Sequence, residues 1–192
     1  MKAMKRRVSL LLALVTGIAW AASDRPVPIN NGMNTLKILG TDFQVFRAWR
    51  ENYDAHGFDV VTFYSRNNDT WGLVPLFDEF KGNEMLELTA GGGADCRLHD
   101  FRMLISLDGS DAKLLVAKRD PGNSYLDPEA VRFVYYELKK NEESLPGAPL
   151  FFFQATKRVD SKAAYCDVND AINKELHLGE QSGFCGKDCP GR

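Results

Sequence analysis

The stretch VRFVYYELKKNEESLPGAPLFFFQAT (residues 131–156) decides the fold class. It holds two runs dense in Val, Phe and Tyr, with Leu145-Pro146-Gly147 as a turn between them. Aromatic and β-branched residues fit a pleated, half-buried surface, and Pro-Gly interrupts it. The same texture extends outward in both directions. LKILG (36–40), FQVFRAW (43–49), FDVVTFY (58–64), WGLVPLF (71–77), EMLELT (84–89), FRMLISL (101–107) and AKLLVAK (112–118) are short apolar runs, with further turns at Asn67-Asn68-Asp69 and Asp108-Gly109-Ser110-Asp111. Helical periodicity is scarce. About nine strands predict a mostly β protein, two packed antiparallel sheets or a partly closed barrel; the favoured form is a two-sheet antiparallel β-sandwich whose FVYY and FFF rings fill the space between facing sheets. One short C-terminal α-helix is expected over residues 167–176. Asp167 is its N-cap, Val168, Ala171, Ile172 and Leu176 form its apolar stripe, and Gly179 terminates it.

The front end reads differently. MKAMKRR followed by VSLLLALVTGIAWA has the basic start, short apolar core and Ala-Trp-Ala end of a cleaved secretory signal peptide over residues 1–21. Residues 22–179 then form a single β-sandwich domain, and residues 180–192 a loose tail that carries cysteines. Losing Lys2, Lys5, Arg6 and Arg7 moves the formal charge from −2 to −6. An acidic surface argues against a nucleic-acid partner, which would call for a basic stripe. No later segment is apolar and long enough to predict a membrane span after processing.

Four cysteines remain, Cys96, Cys166, Cys185 and Cys189. In an oxidising compartment an even count predicts disulfides. Three pairings are available. Cys96–Cys166 with Cys185–Cys189 is favoured, because the latter closes a small local loop. Cys185-x-x-x-Cys189 lacks a second ligand pair for zinc.

The stretch GGGADCRLHDFRMLI (91–105) gathers Asp95, Cys96, His99, Asp100 and Arg102. Cys96 and His99 as a nucleophile and base would need a free thiolate, and three residues along a strand places them on opposite faces. The apolar phase changes at His99-Asp100, which predicts a bulge there. Asp95, His99 and Asp100 then satisfy local backbone groups, and Arg102 pairs with a carboxylate. Three histidines, His56, His99 and His177, have no spacing that holds zinc. His56 reads as a turn residue and His177 as a helix-end residue. Ser110-x-x-Lys113 lacks the structural setting and partner motifs of a serine β-lactamase. Asp120, Asn123, Ser124, Asp127 and Glu129 offer hard oxygens in one loop, a candidate structural calcium site, although no cofactor is required. Asn68-Asp69-Thr70 matches a glycosylation acceptor.

Five ordered blocks carry a family resemblance: DAHGFDVVTFY (54–64), GGGADCRLHDFRML (91–104), KRDPGNSYLDPEAVRFVYYEL (118–138), FFFQ (151–154) and YCDVNDA (165–171). In that order and at those distances they resemble the carbapenem intrinsic-resistance proteins of the CarG type, over about residues 30–178. The resemblance implies a periplasmic, non-enzymatic protein that protects a cell from carbapenems, and a β-sandwich akin to the lysozyme-inhibitor fold. It also implies that Cys96 and Cys166 are the family's cysteine pair. The expected partner is a β-lactam antibiotic or a periplasmic protein, with Asp95, His99, Asp100, Arg102 and His56 as the candidate surface. The alternative is a periplasmic lysozyme inhibitor, in which the acidic chain meets a basic enzyme and the Gly-rich loop Ala90–Gly93 protrudes into its cleft. Exposed edge strands would favour a homodimer.

Overall fold

The computed structural model describes residues 24–54, 56–78, 83–93, 95–143 and 146–179. The expected signal peptide and the Cys185/Cys189 tail, with its expected disulfide, lie outside the described residues. Twelve strands are present: β1 (Asp24–Val27), β2 (Gly32–Ile38), β3 (Thr41–Arg50), β4 (Phe58–Asn67), β5 (Thr70–Leu73), β6 (Leu76–Asp78), β7 (Asn83–Met85), β8 (Leu88–Gly91), β9 (His99–Ser106), β10 (Ala112–Lys118), β11 (Glu129–Lys140) and β12 (Phe151–Tyr165). All nine predicted runs contain strand. Two of them split, WGLVPLF into β5 and β6 and EMLELT into β7 and β8, and β1 at residues 24–27 was not among them.

The mostly β class with a short C-terminal helix is present, but two separate antiparallel sheets do not describe the pairing. Hydrogen bonding runs along one mixed path, β2-β3-β4-β8-β9-β10-β11-β12-β6-β7, with β1 added to β9 and β5 to β4. The single parallel step on this path is β12 with β6, Phe153 opposite Leu76. The physical reason is the crossing at Val74-Pro75. Val74 N–H donates to Phe63 on β4, and the carbonyl of Pro75 accepts from Phe153 N–H on β12, each at 2.8 Å. One apolar run thus leaves the β4 side and joins the β12 side.

The sheet curls until distant strands face each other. Phe43 on β3 meets Phe151 edge-on at 5.1 Å, and Phe63 on β4 meets Phe153 at 5.3 Å. Such pairs contribute ~1 kcal/mol each beyond the area they bury. Ile29, Val45, Val61, Leu76, Phe101, Met103, Leu114 and Tyr136 complete this core. A buried ion pair sits on the same inward phase: Arg47 donates through Nε and Nη2 to one oxygen of Asp59 and through Nη1 to the carbonyl of Ile29.

A second apolar cluster lies on the opposite face of β10 and β11. There Leu115, Ala117, Val131 and Phe133 receive Val168, Ala171 and Ile172 from the C-terminal helix. α1 (Val168–Ala171) begins as predicted: Asp167 accepts from Asn169 N–H at 2.8 Å. It then widens into a π-helical turn over Ile172–Leu176. The chain leaves that turn at His177, in the left-handed region at φ 56°, so the stop falls two residues before Gly179. No helix among the described residues is long and apolar enough to cross a membrane.

Candidate functional site

The loop before β9 is pinned to the start of the helix by one covalent and two hydrogen bonds. Cys96 and Cys166 form a disulfide with Cα atoms 5.5 Å apart. Arg97 N–H donates to Asp167, and Val168 N–H donates to the carbonyl of Arg97. Gly93 makes this approach sterically feasible: a Cβ there would stand 1.7 Å from the carbonyl oxygen of Cys96.

The expected bulge at His99-Asp100 is absent. β9 pairs with β10 in unbroken register from His99–Lys118 to Ile105–Ala112. The polar phase exists because the outer face of β9 is covered by the helix. Asp100 and Arg102 lie there, 3% and 1% exposed. Arg102 donates to Asp100 at 3.0 Å, to the carbonyl of Phe101 at 2.8 Å, to Asn169 at 2.6 Å and to the carbonyl of Gly179 at 3.0 Å. Asp100 also accepts from Phe101 N–H, and Arg97 stands 3.6 Å away. Burial lowers the pKa of the Arg97 guanidinium, and the carboxylates of Asp100 and Asp167 oppose that shift. The predicted pairing of Arg102 with a carboxylate therefore holds. As a partner surface, however, Asp100 and Arg102 are corrected: both are sealed beneath the helix, and Asp95 alone of that trio is exposed.

The candidate calcium loop is organised around a buried arginine. Arg119, which the sequence reading passed over, is buried beside it and donates to the carbonyls of Cys166, Asp120 and Tyr125. A guanidinium thus holds backbone oxygens that a cation would compete for. Among the described residues no three His, Cys, Asp or Glu side chains gather to hold a metal. Within the loop of Asp120, Asn123, Ser124, Asp127 and Glu129, Leu126 N–H donates to the hydroxyl of Ser124 and Asp127 N–H to its carbonyl. His56 stacks on Tyr125 with ring centroids 4.3 Å apart, which joins two loops. The Gly-rich loop does not protrude: Ala90 and Gly91 belong to β8 and are buried, with Gly91 paired to both Phe58 and His99.

His99 is the exception within the polar stretch. It shares the inward face of β9 with Phe101 and Met103, and strand register sets it beside Lys118 on β10, which lies beside Arg132 on β11. The next row inward is Phe101, Val116, Val134 and Arg158. Where the apolar rows give way to the polar row, a cleft of about 230 Å³ opens. Val116, Val134, Leu88 and Met85 line its apolar part. Lys118, Arg132, Arg158, Asp78, Glu87, Thr89, His99 and Tyr136 supply the polar groups. Arg158 reaches both oxygens of Asp78 at 3.5 Å. Burial pushes the Tyr136 hydroxyl well up from its usual range, Asp78 adds to the rise, and Arg158 opposes it.

His99 is held neutral. Burial, reinforced by the Lys118 ammonium and weakly opposed by Asp120, lowers its pKa from 6.5 to about 4. Its Nδ1 lies 3.3 Å from the Thr89 hydroxyl. A base this weak is poorly matched to deprotonating a hydroxyl at neutral pH, so the pair is not an activated nucleophile. The unfolded chain takes up a proton below about 6.5 that the folded chain refuses until about 4. Stability that His99 contributes is therefore complete above that window and is lost as pH falls through it. The expected result is an imidazole NMR titration with its midpoint near pH 4, and a shallower acid limb in the stability profile of His99→Gln. An unshifted midpoint near 6.5 would contradict the burial described.

Comparison with known proteins places these features in context. A family model described as carbapenem resistance protein CarG-like matches residues 29–174. The crystal structure of CarG superposes with a TM-score of 0.63 at 22% identity, covering 81% of this chain and 99% of that one. At this identity the superposition speaks for the fold. No curated protein sequence matches the chain.

Proposed function

Because the chain belongs to the CarG-like family of carbapenem resistance proteins, we propose that it is an exported, non-enzymatic protein that protects a cell by binding a carbapenem stoichiometrically. The observation that carries this reading is the fate of its most reactive residue. Cys96 is oxidised to Cys166 on the helix side, and His99 faces the cleft on the other side of β9. A thiol and base that could open a β-lactam ring are thus separated by the sheet, and the sulfur has no lone nucleophilic form. The disulfide also supports export to an oxidising compartment, in keeping with the expected signal peptide and a periplasmic location. No bound metal or organic cofactor enters this mechanism.

The test is to incubate the purified mature protein with meropenem and follow the absorbance of the intact ring. The expected outcome is loss no faster than in buffer, with at most one equivalent consumed. Repeated turnover would sink the non-enzymatic reading. The lysozyme-inhibitor alternative still rests on the implied fold and the acidic charge, but Ala90 and Gly91, half of the loop expected to protrude, are integrated into the sheet. No inhibition of lysis is expected with excess protein.

A further inference from the structure

We propose that the cleft bounded by His99, Lys118, Arg132 and Thr89 is a binding site for a compact carboxylate with an apolar body. This rests on the reading that the protein holds a carbapenem, and it specifies where and by which chemical handle. Three observations converge.

The first is shape and composition. The cleft ends the packed rows of the concave face, so its floor is hydrocarbon, Val116, Val134 and Leu88, while its rim is charged. Small-molecule sites have this construction, an apolar body with a few placed polar groups. At about 230 Å³ the space lies just below the usual range for drug-sized ligands. It takes a small ring system and leaves substituents in solvent.

The second is the sign of the rim. Lys118 and Arg132 stand in its outer row and Arg158 one row inward, against two carboxylates, Asp78 and Glu87. Asp78 is engaged by Arg158. Lys118 has no ion pair among the described residues. Arg132 approaches Asp160 with its Nε at 3.5 Å, and both side chains are substantially exposed. Its planar fork carries five donors, so most of its capacity is left for a carboxylate. This local excess of positive charge stands on a chain whose formal charge is −2. A net-acidic chain does not attract an anion by its overall charge, so attraction here must come from local cations such as these.

The third is the alignment of the cations. Lys118 and Arg132 are directly opposed across β10 and β11, and His99 is opposed to Lys118 across β9 and β10. Rigid strands hold these side chains in one row, which favours a preorganised site over a loop-borne one. The ring of a ligand would rest on Val116 and Val134, one row inward, with its carboxylate over Lys118 and Arg132. Thr89, on the neighbouring β8, lines the same cleft with a hydroxyl 3.3 Å from His99 Nδ1.

The experiment uses the mature protein, labelled so that its three histidines are resolved by NMR. Benzoate, its uncharged analogue benzamide and meropenem serve as probes. Benzoate and meropenem are expected to shift the His99 signal and leave that of His177 in place, and benzamide to do neither. The double variant Lys118→Met/Arg132→Met is expected to weaken benzoate and meropenem roughly ten- to hundredfold, the scale of charge-assisted hydrogen bonds. Both residues are at the surface, so its thermal midpoint should match the parent, which separates lost binding from lost folding. The proposal is overturned if neither anion moves His99, if benzamide binds as well as benzoate, or if the double variant binds them undiminished. Benzoate binding through these residues without meropenem binding keeps the site and removes the carbapenem reading. Meropenem binding that spares His99 and survives the double variant does the reverse.

Discussion

Replacing both Cys96 and Cys166 with Ala is expected to cost about 4 kcal/mol of stability. The bond spans 70 residues, and in the chain-entropy account a closed loop of that length restricts the unfolded ensemble by roughly this amount. Much of the loop is the β9–β12 region itself, so the unfolded chain gains freedom across the segment that forms the floor of the cleft. Urea unfolding of the parent in the presence and absence of reductant, beside the double variant, measures the effect. Reduced parent and variant should coincide. A loss below about 1 kcal/mol would mean that the hydrogen bonds at Arg97 and Asp167 alone hold the loop to the helix.

Arg102→Met should be nearly as damaging, at ~3–5 kcal/mol, for an electrostatic reason. The substitution fills similar space but leaves buried Asp100 with only the more distant Arg97 guanidinium, at 3.6 Å, to answer its charge, and strips donors from Asn169 and the carbonyl of Gly179. Breaking one side of a buried pair strands its partner, whereas removing both is far milder. Adding Asp100→Asn to Arg102→Met should therefore recover part of the loss, a coupling above 1 kcal/mol in a double-mutant cycle. Hydrogen exchange should accelerate first in residues 167–179. Additive losses would show that Asp100 and Arg102 act separately.

How much of this was legible in the chain depends on the distance over which each feature is encoded. β11 and β12 were readable because aromatic residues cluster between turn residues, and the Asp167 cap because its partner is two residues away. The pairing of Arg102 with Asp100 is equally local. Arg47 and Asp59 left a usable signal that was passed over: each continues the inward alternation of its strand, Arg47 after Phe43 and Val45, Asp59 before Val61 and Phe63. A charge on an apolar phase announces a buried partner. Arg119 left no such trace, because it binds backbone carbonyls, which every residue carries. The division of WGLVPLF at Val74-Pro75 was hidden by its continuous apolarity. The cleft was the least readable feature. His99, Lys118 and Arg132 belong to three strands, and only the register across β9, β10 and β11 aligns them.

The parallel seam between β6 and β12 also governs how the domain is assembled. Gln154 closes onto the carbonyl of Phe77 across 77 positions, so this contact forms only after nearly the whole domain has been threaded out. Until then β6 presents unpaired amides, and the inner rings of β3 and β4 face water. High contact order of this kind slows folding to milliseconds or seconds and lengthens exposure to aggregation. Truncation within the final strand would therefore leave an earlier half that is synthesised intact yet has nothing to close against.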